Sequence, residues 1–285
     1  MRFAAFRDGD REGLAIACPD EKLYGLLSGD ESYPGNLGLL VQHGRDALES
    51  AAVLLANGPQ IFLDQAVLLP PLSTPGKVIC VGLNYVDHSI ESGFTVPDYP
   101  TIFTRFASSL IGCGAAIIRP MVSTQLDFEG EMVAIIGVGG RHIREQDALD
   151  HVIGYSIFND ASVRDYQKKS PQWTIGKNFD GTGAFGPYLV TADELPRGAN
   201  GLHIQTRLNG AVVQDASTGD MVFTVAQLIS ILSEAITLSP GDIIVTGTPA
   251  GVGMGRNPPL FMRHGDVCEV EIEGIGTLRN SVEDE

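Results

Sequence analysis

The stretch Leu126-Asp-Phe-Glu-Gly-Glu-Met-Val-Ala-Ile-Ile-Gly137 sets two glutamates two residues apart and then runs straight into apolar residues. A β-strand sends alternate side chains to opposite faces, so Met132 to Ile136 predicts a strand entering a core, with Glu129 and Glu131 on one face. Two carboxylates at the end of a buried strand need a partner, because an unpaired charge taken out of water is very costly. Two readings are open. A hard divalent cation such as Mg²⁺ or Mn²⁺ takes oxygen ligands and offsets the desolvation of both charges. An exposed edge strand would simply leave its acidic face solvated. Gly130, between the glutamates, lets another group approach closely.

The rest of the chain bounds what such a strand can serve. Its 285 residues, 44% of them hydrophobic, suffice for one large domain and a smaller one. With 35 acidic and 19 basic residues the net charge is -16, and no basic run occurs, which argues against nucleic acid and anionic membranes as partners. An anionic substrate would need a local positive site. The first ten residues lack an apolar signal-peptide core, and no stretch approaches the ~20 apolar residues of a membrane span, so the expectation is a cytoplasmic protein. Cys18, Cys80, Cys113 and Cys268 are scattered, which predicts reduced thiols, with neither disulfides nor a structural zinc site.

Met1 to Phe6 and Leu14 to Cys18 flank an Asp-Gly-Asp turn and read as a hairpin, and Ala47 to Ala56 reads as a helix. Leu69-Pro-Pro-Leu-Ser-Thr-Pro-Gly76 cannot continue a helix or an inner strand. It predicts a boundary between a small N-terminal domain, residues 1–70, and a second domain, residues 77–285. In the second, Lys77 to Val81 is a strand leading to His88 and Glu91, three apart on one helical turn. They are either a general-base pair, with the carboxylate raising the basicity of the imidazole, or an incidental surface ion pair. Glu145 to Val152 reads as a short helix and Gly154 to Asp160 as a strand, after which residues 161–169 read as a helix. Asp160 is either the N-cap of that helix, with Arg164 and Gln167 on one face, or a third acidic ligand beside Glu129 and Glu131. Lys177 is either an ordinary surface lysine or a cation facing an anionic reaction centre.

Further on, Asn209-Gly210 predicts a type I′ hairpin turn, and Thr224-Val-Ala-Gln227 a capping box opening a helix with Val225, Leu228, Ile229, Leu232, Ala235 and Ile236 on one stripe. Pro240 to Gly255 is a strand running into a glycine-rich loop. It lacks the third glycine and the following helix of a dinucleotide fingerprint, and Pro249 interrupts the turn. Its backbone N–H groups and Thr248 suit a carboxylate or an oxyanion instead.

Five ordered motifs carry a family resemblance: Ile79-Cys-Val-Gly-Leu-Asn-Tyr-x-Asp-His88, Asp127-Phe-Glu-Gly-Glu131, Asn159-Asp160-x-Ser-x-Arg164-Asp-x-Gln167, Gly176-Lys177-x-Phe-Asp180 and Pro240-Gly-Asp-Ile-Ile-x-Thr-Gly-Thr-Pro-x-Gly-Val-Gly253. From about Lys77 onward the chain resembles the fumarylacetoacetate hydrolase family. That resemblance implies an α+β, mainly β fold, a mixed β-roll of packed sheets with a few helices, preceded here by a small α+β N-terminal domain, and usually a homodimer. It implies a divalent cation, Mg²⁺ or else Mn²⁺ or Ca²⁺, on Glu129, Glu131 and Asp160. It further implies substrate contacts from Arg164, Gln167 and Thr248, charge stabilisation by Lys177, and water activation by His88 with Glu91. Two departures stand near the pocket. Arg105 replaces a usual lysine, and Gly181-Thr-Gly-Ala-Phe-Gly replaces a usual Thr-x-x-Pro-Leu-Gly.

The chemistry implied is that of an enolate formed at C3 of a small 2-oxo carboxylate. The leading expectation is hydrolysis of the C3–C4 bond of a 2,4-dioxo acid such as an acylpyruvate. Decarboxylation of an oxaloacetate-like acid and isomerisation of a hydroxymuconate-like diacid share that intermediate. Metal and carboxylate binding without turnover is the reading from a different class.

Overall fold

The computed structural model describes residues 1–18, 22–63, 66–91, 93 and 95–285. The strand predicted from the acidic stretch is Gly130–Ile136, and every one of its residues is buried. It lies inside a large sheet, antiparallel to Val152–Asp160 on one side and to Ile243–Val245 on the other. The edge-strand reading of the two glutamates therefore falls away. Ile243–Val245 pairs in parallel with Val78–Gly82, and Val152–Asp160 pairs with Gly183–Thr191. The N-terminal hairpin, Arg2–Asp8 with Arg11–Ala17, continues the same sheet, because Arg2 and Phe3 pair with Val190 and Leu189. Among the described residues this sheet has twelve strands, and a second, of five, packs over it.

Period-two alternation explains why the acidic strand is buried on both faces. Met132, Ala134 and Ile136 join the core beneath the second sheet, with Ile204, Val270 and Leu278. Val133 and Ile135 join the opposite core, where Leu40, Val41, Leu48 and Leu55 of the helices Leu37–His43 and Arg45–Ala56 cover them. A strand covered twice reads as a continuous apolar run, as this one does. The fold is thus sheet-dominated α+β. Among the described residues no helix is long and apolar enough to cross a membrane.

The local signals at Asn209-Gly210 and Thr224–Gln227 appear as expected, with both turn residues at positive φ and both capping hydrogen bonds made. Two local expectations differ. The stripe of the helix Val225–Ala235 buries Ser233 in place of Ala235, because the helix stops at Ala235 and the Ser233 hydroxyl accepts from Ile143 N–H. Asp160 caps no helix: residues 162–163 stay extended, paired with Leu126–Asp127, and the helix Arg164–Gln167 begins only after them.

Gly130 shows what its missing side chain is for. A Cβ there would stand 2.2 Å from Thr206 Oγ1 and 2.9 Å from Val270 Cγ1, both in the second sheet. Gly130→Ala should therefore lower stability by about 1–3 kcal/mol, the cost of overpacking a filled core. A shifted urea midpoint at unchanged slope would show it, and an unchanged midpoint would mean that the sheets separate there at no cost.

Candidate active site

The sheet register builds the site. With Gly130 opposite Asn159 and Glu131 opposite Phe158, the residue facing Glu129 is Asp160, and Asp160 N–H donates to Glu129 O at 2.8 Å. Directly opposed like charges destabilise a sheet unless something sits between them. Here Lys177 does: its Nζ lies 2.6 Å from Glu129 Oε2 and 2.6 Å from Asp160 Oδ2. The helical turn Thr174–Lys177 can bring it there because Gly176 packs against the backbone of Gln167, where a Cβ would come within 2.3 Å of Gln167 N.

Both oxygens of Glu129 and of Asp160 face a protein cation, whereas Glu131 has one oxygen held by a backbone N–H. Glu129 Oε1 is 2.6 Å from Arg164 Nη2, in an ion pair whose angle does not make a hydrogen bond. Asp160 Oδ1 accepts from Arg105, which also donates to Thr182 Oγ1. Glu131 Oε2 accepts from Gly247 N–H at 2.6 Å, and its other oxygen has no donor among the described residues. Ligand oxygens of the three acids lie within 4.8 Å of one another, and among the described residues they are the group of that kind that converges. Converging hard oxygens on three buried carboxylates suit a divalent cation.

The electrostatics of the two glutamates diverge. Burial pushes both carboxyls up, but Arg164 and Lys177 outweigh it at Glu129 and hold that group at about 2. Glu131 has no cation at contact distance, and burial, then Asp160 and Glu129, push it well above the usual carboxylate range. Burial opposes the charge of Lys177 as well, yet Asp160 and Glu129 raise it above the ordinary lysine value. Four buried carboxylates, those of Asp127, Glu129, Glu131 and Asp160, thus face three buried cations, Arg105, Arg164 and Lys177.

Seven of the nine residues singled out from the sequence line one cavity of about 650 Å³: His88, Glu129, Glu131, Arg164, Gln167, Lys177 and Thr248. Asp160 and Glu91 stand just behind this wall, in contact with Lys177 and His88. His88 Nδ1 is 4.0 Å from Glu91 Oε2, an ion-pair distance too long for a hydrogen bond. Burial works against the charge of Glu91, but His88 and the Gly251 N–H, at 2.7 Å, hold its carboxyl below the usual range. Arg164 Nη1 donates to Gln167 Oε1 at 2.9 Å, so the two share a face as the spacing predicts. Thr248 Oγ1 donates to Gly130 O and accepts from Gln214 Nε2, while Gly130 N–H donates to Gln214 Oε1. Phe103 and Trp173, edge to face at 5.5 Å, form an apolar wall. Gly82 makes room for it, since a Cβ there would be 2.4 Å from Trp173 Cζ3.

Sequence reasoning left three contributors without a role. Arg105 stood out only as a departure from the family pattern, and Asp127 only as a letter of its motif. Gln214, on the hairpin of the second sheet, carried no signal, because nothing local marks a glutamine that will reach Gly130.

Residues 77–283 match the family model for the fumarylacetoacetate (FAA) hydrolase C-terminal domain. The mitochondrial oxaloacetate tautomerase fahd2 of Xenopus laevis is 40% identical over 99% of this chain and 90% of its own length. The mitochondrial oxaloacetate tautomerase FAHD2A of Homo sapiens is 41% identical over 89% and 81%. Among solved structures, the fumarylacetoacetate hydrolase of Exiguobacterium antarcticum is 36% identical, with TM-score 0.87 and full coverage of both chains. These relatives support an enzyme. The expectation of a cytoplasmic protein is overturned by relatives that are mitochondrial by name. Net charge and scattered cysteines do not distinguish one compartment from another. On the family match, the coverage of these relatives and the shared fold, the chain belongs to the fumarylacetoacetate hydrolase family.

Proposed function

We propose that the protein enolises a small 2-oxo acid and catalyses keto–enol tautomerisation of an oxaloacetate-like substrate. The observation that carries this reading is a single cavity wall bearing an imidazole backed by a carboxylate, an arginine with a glutamine, and converging acidic ligands. The names of the Xenopus and human relatives support it. Tautomerisation needs only a base that takes and returns a proton, whereas hydrolysis needs in addition a positioned water.

Arg164 and Gln167 would receive the substrate carboxylate, and Lys177 would set positive charge beside the 2-oxo oxygen. Thr248 has its hydroxyl hydrogen committed to Gly130 O, so it would orient substrate through its remaining lone pair and its backbone. His88, with Nδ1 turned toward Glu91, would use Nε2 to remove a proton from C3 while the enolate oxygen takes one from solvent, and in the reverse direction would protonate C3 as the enol O–H gives its proton to solvent. When bound by Glu129, Glu131 and Asp160, a divalent cation, Mg²⁺ or Mn²⁺, would supply Lewis-acid polarisation of the 2-oxo group. It would also turn the cluster's excess of negative charge into an excess of positive charge, which suits an anionic substrate.

A second reading is C3–C4 hydrolysis of a 2,4-dioxo acid. The cavity volume favours it, since about 650 Å³ matches ligands far larger than a four-carbon acid, and the Phe103–Trp173 wall would suit an apolar acyl group.

Decay of the enol absorbance of freshly dissolved enol-oxaloacetate, followed with and without enzyme and Mg²⁺, tests the first reading. Wild type should accelerate it, and His88→Ala should lower that kcat by about 10²–10⁴-fold. Acylpyruvate cleavage without any acceleration of enol decay would move the assignment to the hydrolase. Calorimetry tests the cation: one Mn²⁺ should bind per chain, and Glu131→Gln should weaken it by about tenfold or more, since one charged oxygen ligand is lost. Equal affinity in the variant would remove Glu131 from the ligand set.

A further inference from the structure

Asp127 belongs to neither the acidic trio nor the cavity wall, yet it is fully buried and saturated with donors. Its Oδ1 accepts from Phe128 N–H at 2.8 Å and from Gly253 N–H at 2.7 Å. Its Oδ2 accepts from Met254 N–H at 2.9 Å and from Arg164 Nε at 2.8 Å. The fit is close, for a Cβ on Gly253 would stand 2.6 Å from Asp127 Oδ1 and 1.7 Å from Leu260 O.

The partners of these donors matter more than their number. With Nε held by Asp127, the guanidinium of Arg164 has one orientation left, in which Nη1 meets Gln167 and Nη2 meets Glu129. Gly253 and Met254 end the glycine-rich loop whose earlier residues donate Gly247 N–H to Glu131 and Gly251 N–H to Glu91. One loop therefore clasps three carboxylates through its backbone, and Asp127 is where its far end is tied down.

We infer that Asp127 is a positioning residue, which aims Arg164 at the substrate carboxylate and pins the end of the loop that serves Glu131 and Glu91. This rests on reading Arg164 as the seat of that carboxylate. In Asp127→Asn one oxygen can still accept from Phe128 and Gly253, but the amide N–H₂ then meets Met254 N–H and Arg164 Nε, donor against donor. The arginine loses its aim while the metal trio keeps every ligand.

The test is calorimetry with Mn²⁺ alone and then with oxalate at saturating Mn²⁺, oxalate being an unreactive dianion that offers a carboxylate beside a second oxygen. Asp127→Asn should hold Mn²⁺ within about threefold of wild type while oxalate affinity falls by about tenfold or more, the loss expected when a charge-assisted contact is misaligned. Arg164→Lys keeps the charge and has no Nε for Asp127, so it should show the same split. The double variant should be within about threefold of Arg164→Lys alone, because the two substitutions break one interaction. Wild-type oxalate affinity in either single variant, or multiplied effects in the double, would overturn the inference. If wild type itself binds no oxalate, the 2-oxo acid reading fails, and hydrogen exchange then decides on Asp127. Faster exchange at Gly253 and Met254 in Asp127→Asn supports the tether, and unchanged exchange overturns it. Should Asp127→Asn not fold, Arg164→Lys carries the same oxalate criterion.

Discussion

Glu129 faces Asp160 across the end of two paired strands, with Glu131 one step further in, and all three are buried. Much of the rest of the site follows from that repulsion. A buried charge left alone costs several kcal/mol, so each oxygen must find a cation or an N–H group. Arg105, Arg164 and Lys177 come from three separate segments to meet this need, and Gly247 N–H serves Glu131. The balance stays one positive charge short, and the group that feels it is Glu131. A site poised in this way offers hard oxygen donors that could hold a divalent cation.

The second organising element is the loop between Gly247 and Met254. Most glycine-rich loops that bind anions use consecutive N–H groups to cradle one ligand. This loop distributes its N–H groups over carboxylates of the protein itself: Glu131 of the trio, Glu91 behind His88, and Asp127 behind Arg164. The acidic trio, His88 and Arg164 are thereby referred to one backbone segment. Gly251 and Gly253 are required there by close approach, since a Cβ on Gly251 would lie 2.1 Å from Val213 O.

The function read from this arrangement is narrow in its intermediate and broad in its outcome. In the proposed reading the enolate arises by proton removal at C3, whereas in C–C cleavage it would leave as the C3–C4 bond breaks; the charged end suits both, and the Phe103–Trp173 wall bears on the choice. Arg105, which stands where the family pattern has a lysine, donates to Asp160 and is not among the residues lining the cavity, so that departure changes how Asp160 is held.

What the amino-acid order determined by itself was local. The alternation of Glu129, Gly130 and Glu131 before five apolar residues put both glutamates on one face of a buried strand. Asn209-Gly210 set a hairpin and Thr224 with Gln227 opened a helix, because turn and cap chemistry act within four residues. His88 with Glu91 and Arg164 with Gln167 were legible as pairs for the same reason. Tertiary structure alone decided where each group stands and what it meets. Asp160 could cap a helix or face a cation until the extended segment after it placed the helix start at Arg164. Lys177 was indistinguishable from a surface lysine until it met Asp160, 17 positions away, and Asp127 had no visible role until Gly253, 126 positions away, reached it. Hydrophobic periodicity records which face a residue occupies, whereas neutralising a buried charge depends on which distant segments the packing brings to that face, and no local pattern encodes it.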